Sequence, residues 1–238
     1  MVTVAAGEPM NIGMIGVGMI GGVLTRKLVG LGHQVFVANS RGPGSLGDFA
    51  RETGAHPVSV REAAKAGEVV VITIPQKAVP NLPEDLMAET PEGTVIIDTG
   101  NYYPVQRDGR IAELEQGLTE SEWVQKHVKR PVIKVFNSIY FVSLRDRGTP
   151  AGTPNRVALP ISGDDARAKS VVMALVDSLG FDPVDNGTLK DSWRQQPGTS
   201  IYCEDLPAAE VKRRLGEMGT VQTPQHRASA HAKRDLPW

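Results

Sequence analysis

Two spacings of apolar residues alternate along this chain. Short runs rich in aliphatic and β-branched residues stand at 11–15, 33–38, 69–74, 94–98 and 131–136, and several are followed by stretches whose apolar positions recur every three or four residues. Near-continuous runs of four to six residues suit parallel strands covered on both faces, and the three-to-four spacing suits helices with one buried stripe. Their alternation predicts an α/β protein with a doubly wound, mostly parallel sheet. The first helix carries Ile20, Val23, Leu24, Leu28 and Leu31, and Gly32 stands where a C-cap belongs. Further helices are expected at 46–53, 60–67, weakly at 82–89, and at 109–116 and 121–129. A short strand at 55–59 has Pro57 near a sheet edge, and Val69-Val70-Val71-Ile72-Thr73-Ile74, stopped by Pro75, reads as a central strand. A loop at 145–155 is placed to cover a site. A strand at 157–161, a turn at 162–165, a helix at 166–179 and a strand at 181–184 are expected to extend the sheet. Past residue 189 large apolar residues thin out, apart from a short charged helix at 208–215. Residues 1–189 are therefore read as one α/β domain with its sheet extension. Residues 190–238 are read as a C-terminal appendage, an arm for a dimer contact or an acceptor site.

Between the first strand and helix stands Gly16-Val17-Gly18-Met19-Ile20-Gly21. Gly16 makes the tight turn, Gly18 lets backbone approach a pyrophosphate, and Gly21 brings helix and sheet together. The helix N-terminus offers N–H groups and a positive dipole end to phosphate. This strand, glycine turn and helix predict the NAD(P)-binding Rossmann fold. The second strand runs into Asn39-Ser40-Arg41, with no carboxylate for a ribose 2′-hydroxyl. A hydroxyl and a guanidinium instead suit a 2′-phosphate, so NADP is expected rather than NAD.

Ligands of a doubly wound sheet lie beyond the carboxyl ends of its strands. That places Thr73, Ile74, Pro75 and Gln76 along the cofactor, and Thr99, Gly100 and Asn101 on its nicotinamide side. Tyr102, Asn137, Tyr140 and Arg194 are candidates for an acceptor pocket, each with a packing or solvated role as its plainer alternative. Asp98, at a strand end, is either a functional carboxylate or a hydrogen-bonded structural one.

Composition narrows the partners. A net charge of −1 over 238 residues gives no basic field for nucleic acid or an acidic membrane surface. The lone cysteine, Cys203, excludes an internal disulfide and suits a reducing cytoplasm. Five scattered histidines show no metal-ligand spacing, and His33 reads as a packing or surface residue. The first ten residues lack the pattern of a secretory leader, and no run reaches membrane-spanning length. A cytoplasmic protein is expected, and, because the C-terminal segment has too little core of its own, a homodimer.

With the strand ends located, the sequence resembles the deazaflavin-dependent NADP oxidoreductases, which pass hydride between NADP(H) and coenzyme F420. It is also similar to the reductase domain of metalloreductases. The resemblance covers most of residues 11–190. It rests on the Gly16–Gly21 turn, Leu31-Gly32-His33, Asn39-Ser40-Arg41, Thr73-Ile74-Pro75 and Ser162-Gly163-Asp164-Asp165. It implies that Val17 to Ile20 hold the pyrophosphate, Ser40 and Arg41 the 2′-phosphate, and Thr73 to Gln76 with Thr99 to Asn101 the nicotinamide. A small-molecule redox acceptor, F420 or a flavin, would be the second substrate. The chain departs from the family after Thr-Ile-Pro, where Gln76 replaces an aromatic residue, at 98–103, and at 137–140, and so looks like a bacterial side branch. The cofactor half carries over and the hydride partner does not. Two rival readings stand beside it. One is a β-hydroxyacid dehydrogenase or imine reductase relative, for which Lys190 lies near a catalytic lysine's place but Arg194 stands where an asparagine belongs. The other is an NADP-binding redox sensor without turnover.

Overall fold

The computed structural model describes residues 8–227. Strands β1 (Asn11–Ile15), β2 (Gln34–Ala38), β3 (His56–Pro57), β4 (Val69–Ile72), β5 (Val95–Asp98) and β6 (Ile133–Lys134) form one parallel sheet in the order β3-β2-β1-β4-β5-β6. The register runs Ile15 against Ala38 on one side of β1 and against Ile72 on the other. All six carboxyl ends therefore share one edge. The strand order reverses between β1 and β4, which is where such sheets open a crevice. Pro57 lies on the edge strand, where its missing N–H costs no ladder bond.

The unbroken apolar runs are explained by burial on both faces. Ile12, Met14, Val69, Val71 and Ile97 face one core, packed by α1 (Met19–Gly30) and α7 (Ala166–Ser178). Ile15, Val70, Ile72 and Ile96 face the other, beneath α3 (Val60–Ala66) and α5 (Glu120–Val128). The remaining helices are α2 (Gly47–Thr53), α4 (Ala112–Glu115), α6 (Phe141–Asp146) and α8 (Ala208–Glu217).

Several expectations are corrected. Residues 82–89 form turns, because Pro80 and Pro83 remove N–H donors and Leu82 is extended (ψ 144°) ahead of Pro83. The helix expected at 109–116 shrinks to α4, bounded by Gly109 (φ 71°) and Gly117 (φ 112°), both left-handed. The strand expected at 131–136 keeps only two paired residues, and Phe136 turns out of the ladder at φ 63°. The 145–155 loop does not cover the site. Its Thr149 N–H bonds the Gly180 carbonyl at 3.0 Å, and Gly148 packs by Lys27, at the opposite end of α1 from Gly18.

The last strands do not simply extend the sheet. β7 (Ala158–Ile161) and β8 (Asp182–Asp185) pair in parallel as a separate two-stranded sheet, joined to β6 through one antiparallel bridge between Lys134 and Ser162. Pro160 and Pro183, one on each strand, have no N–H to give a further ladder. From 190 to 227 the chain stays on the body. A 3-10 helix (Leu189–Gln195) buries Trp193 and Gln195, and α8 closes a third core of Ala158, Val184, Ile201, Val211 and Leu215. Residues 1–7 and 228–238, the last part of the expected C-terminal arm, lie outside the described residues.

Candidate active site

At the carboxyl edge of the sheet a cleft of about 310 Å³ runs from the glycine turn across β4 and β5 to the C-terminal segment. Its first end is built by backbone. Gly16 is left-handed (φ 106°), and a Cβ there would stand 2.3 Å from the Thr73 carbonyl oxygen. A Cβ on Gly21 would stand 2.2 Å from the Gly16 carbonyl oxygen, so these two glycines are demanded by packing alone. Gly18 differs. It caps α1 without a side-chain hydrogen bond, the first turn carries no acidic residue, and a Cβ there would meet nothing within 4 Å. Open space before a bare helix N-terminus is what a dinucleotide pyrophosphate requires, and the residues present fit that group.

The Gly16 N–H bonds the Ala38 carbonyl at 2.8 Å, which brings the end of β2 alongside the turn. There Asn39 is occupied by the protein: its Oδ1 accepts from the Arg41 N–H at 2.9 Å, and its Nδ2 donates to Ser45 Oγ at 2.9 Å. Asn39 thus shapes the loop. Ser40 and Arg41 are exposed, and the Arg41 guanidinium has no protein partner among the described residues.

Thr73, Ile74, Pro75, Thr99, Gly100 and Asn101 all line the cleft. Gln76 does not. It is fully buried, donates to the Glu120 carbonyl at 3.0 Å, and its Oε1 has no hydrogen-bond partner. Of the acceptor-pocket candidates, Asn137 and Tyr140 line the cleft, and Tyr102 and Arg194 do not. The Tyr102 hydroxyl donates to Glu115 Oε1 at 2.8 Å and accepts from the Ile111 N–H at 2.9 Å, and burial pushes it up to about 12. Arg194 pairs with Asp191 at 3.3 Å and donates to the Asn186 carbonyl at 3.0 Å. Lys190 is exposed on the 3-10 helix, away from the cleft.

Sequence reasoning missed Tyr103 and Tyr202 as site residues. Their hydroxyls hydrogen-bond one another on the cleft wall. The adjacent Tyr102-Tyr103 pair was a visible signal, but only the conformation of 98–103 decides which ring faces inward. Tyr202 arrives because the Cys203 N–H bonds the Ser138 carbonyl at 2.8 Å, with Cys203 left-handed at φ 56°.

Beneath the 99–103 loop lies a dry ionic cluster. Lys134, with none of its surface exposed, places Nζ 3.2 Å from Asp98 Oδ2 and 3.4 Å from Glu120 Oε2, and donates to the Gly100 carbonyl. Asp98 also accepts from the Gly100 N–H at 2.8 Å and from Ser121 Oγ at 2.6 Å. Glu120 accepts the Tyr102 N–H at 2.9 Å. Burial pushes the Glu120 carboxyl up to about 7, opposed by the Lys134 charge. One cation thus serves two carboxylates, and the cluster clamps the loop from both ends. Asp98 is accordingly a structural carboxylate, hydrogen-bonded and away from the cleft surface. Among the described residues no group of three or more His, Cys, Asp or Glu is arranged to hold a metal, and no helix is long and apolar enough to cross a membrane.

The fold and the glycine turn define a dinucleotide-binding protein of the Rossmann class. Residues 11–102, from β1 into the loop after β5, match the model of the family described as NADP oxidoreductase, coenzyme F420-dependent. A stretch of 64 residues is 47% identical to the protein YjhV of Escherichia coli K12, covering 27% of this chain and 47% of that one. Over 183 residues the chain is 27% identical to metalloreductase STEAP3 of Rattus norvegicus, covering 76% of this chain and 35% of that one. The chain therefore spans about half, or less, of the length of these two curated relatives. Among solved structures, the hypothetical protein SMa0349 of Sinorhizobium meliloti superposes with a TM-score of 0.70 at 27% identity, over 84% of this chain and 96% of that one. A candidate F420-dependent NADP-reductase of Arthrobacter sp. FB24 superposes at 0.65 and 24% identity, over 78% and 87% of the two chains, a likeness of fold alone.

Proposed function

We propose that this chain is an NADP(H)-dependent oxidoreductase that passes hydride between the nicotinamide and a flavin-like or deazaflavin ring held in the tyrosine-lined half of the cleft. The observation that carries this reading is continuity. One cleft joins the open Gly18 turn to a pocket of Ile139, Tyr140, Phe141, Tyr103 and Tyr202 without an intervening wall. When bound, NADPH supplies the hydride, and orientation with exclusion of water is most of what the protein must add. The N-terminus of α1 holds the pyrophosphate, with Ser40 and Arg41 on the 2′-phosphate. Thr73 to Pro75 and Thr99 to Asn101 fix the nicotinamide plane. Ile139 and Phe141 keep water from the face across which hydride moves. The exposed position of Lys190 takes support from the hydroxyacid dehydrogenase reading, which needs that amine beside the substrate.

The test is a panel of acceptors offered to the purified protein with NADPH: a 5-deazaflavin, FMN and a ferric chelate. Oxidation of NADPH with a ring acceptor is expected. Tight NADPH binding with no oxidation across the panel would overturn the reading in favour of a sensor. A homodimer in the cytoplasm belongs to the same proposal, and sedimentation as a single chain at micromolar concentration would count against the dimer.

A further inference from the structure

The floor beneath the 99–103 loop holds more acid than base. Asp98, Glu120 and Lys134 are all buried, and one ammonium serves two carboxylates, 3.2 Å from Asp98 Oδ2 and 3.4 Å from Glu120 Oε2. Such a set is neutral while one carboxyl keeps its proton, and carries one excess negative charge once both are ionised. Hydrogen bonding decides which carboxyl that is. Asp98 accepts from the Gly100 N–H and from Ser121 Oγ besides Lys134, whereas Glu120 has the longer Lys134 contact and, among the described residues, only the Tyr102 N–H beside it. Burial pushes the Glu120 carboxyl up to about 7, so its charge changes in the neutral range. The surrounding elements bring it no second cation among the described residues. Lys77 turns to the Arg107 carbonyl, Arg107 pairs with Asp108, Lys126 with Glu113 and Arg194 with Asp191, while Glu115 takes the Tyr102 hydroxyl and Glu122 caps Thr119. Burial holds the Tyr102 and Tyr103 hydroxyls neutral here. Gln76 adds one more oxygen. Its Nε2 is given to the Glu120 carbonyl, and its partnerless Oε1 lies under Gly100, where a Cβ would stand 2.7 Å from it and 3.0 Å from Asp98 Oδ1.

Gly100 ties this floor to the cleft. It lines the cleft, while Asp98 holds its N–H and Lys134 its carbonyl. Resting on the oxidoreductase reading above, which sets the nicotinamide against residues 99–101, we infer that Glu120 determines specificity for the redox state of that ring: ionised, it favours NADP+ over NADPH. The two nucleotides carry the same phosphates and differ at the nicotinamide, which is a cation only when oxidised. With Glu120 protonated the floor is neutral and does not tell them apart. With Glu120 ionised an excess negative charge lies beneath the cation, in a dry site where water does not screen it. The effect is reciprocal by linkage: binding of NADP+ sends the Glu120 proton to solvent, and binding of NADPH does not. Raising pH through 7 therefore tightens NADP+ relative to NADPH and favours the direction that leaves oxidised nicotinamide on the protein.

The experiment measures dissociation constants of NADP+ and NADPH for the full chain at pH 6 and pH 8, wild type beside Glu120→Gln, and counts the protons released by calorimetry in buffers of different ionisation enthalpy. The 2′-phosphate titrates in both nucleotides and cancels in their ratio. For wild type the affinity for NADP+ relative to NADPH should rise about fivefold between the two pH values, the order expected of unit charges separated by the thickness of a loop. NADP+ should release a proton and NADPH should not. In Glu120→Gln the ratio should stay constant with pH. A merely structural role would move both nucleotides together and leave the ratio alone. A wild-type ratio that is flat with pH, or a Glu120→Gln ratio that moves as wild type does, would overturn the inference and leave the oxidoreductase reading standing. If Glu120→Gln does not fold, the wild-type proton count decides: release with NADP+ and not with NADPH supports the inference, and equal counts overturn it. Wild type that binds neither nucleotide would overturn both.

Discussion

Gly18 and Gly16 are two residues apart and ask different things of their missing side chains. A methyl group at Gly16 meets the Thr73 carbonyl at 2.3 Å in a left-handed backbone, whereas one at Gly18 meets nothing. Gly16→Ala should therefore cost stability, about 1–3 kcal/mol from backbone strain alone, visible as a lowered unfolding midpoint. Gly18→Ala should leave the midpoint unchanged and weaken NADPH about tenfold, because its methyl group projects where phosphate must approach. Equal thermal behaviour of the two variants would contradict the account. Arg41 carries the matching prediction for the adenosine end. Losing its charge-assisted hydrogen bonds in Arg41→Ala should weaken NADP(H) about 10- to 100-fold with little change for NAD(H), as read by isothermal titration. The structural demand at Gly16 could be read from sequence because a left-handed turn in close contact speaks through residue type. Tyr103 and Tyr102 could not be told apart that way. The two are neighbours of identical chemistry, and the clamp at Glu120 decides which ring enters the cleft.

At the level of elements, the strands and long helices were legible because their apolar spacing is local. The exceptions were proline-bounded or tertiary. Residues 82–89 follow Pro80 and contain Pro83, neither of which has an N–H to give, and β7 with β8 formed its own small sheet around two prolines. The loop between β5 and the π-helical turn at Pro104–Asp108 was recognised, but what holds it was not. Its anchor, Lys134, sits in a two-residue strand and reads in sequence as an interruption. That anchor gives a pH prediction. Folding raises the Glu120 carboxyl from 4.5 to about 7, so the native state binds its proton more tightly than the unfolded chain. The stabilisation is complete below the ordinary carboxyl range and is lost as pH rises through 7. Wild type should lose on the order of 3 kcal/mol between those limits, and Glu120→Gln, which keeps an oxygen for the Tyr102 N–H, should be flat. Denaturant unfolding across pH 4–8 measures this. Parallel curves for the two proteins would remove Glu120 as the titrating group.

For the whole molecule, sequence composition suggested a body and an arm, and packing gives the arm a structural share. Ile201, Val211 and Leu215 close a core with Ala158 and Val184, and Trp193 is buried. A chain ended after residue 189 should accordingly unfold at a lower temperature than the full chain, by calorimetry, and not merely lose acceptor turnover. Large apolar residues are sparse in this segment, which is why sequence reading underrated it. A few, well placed, suffice when the partner surface is already formed.

The bond between Tyr103 and Tyr202 closes a loop of 99 residues. During synthesis the amino-terminal sheet emerges first and can begin to assemble around its nucleotide turn, while the second tyrosine is still to be made. A ribosome-bound fragment would then carry the open glycine turn without the far wall of its cleft. Completion of the cleft is in this sense a late event: its far wall closes only once Tyr202 has joined the fold.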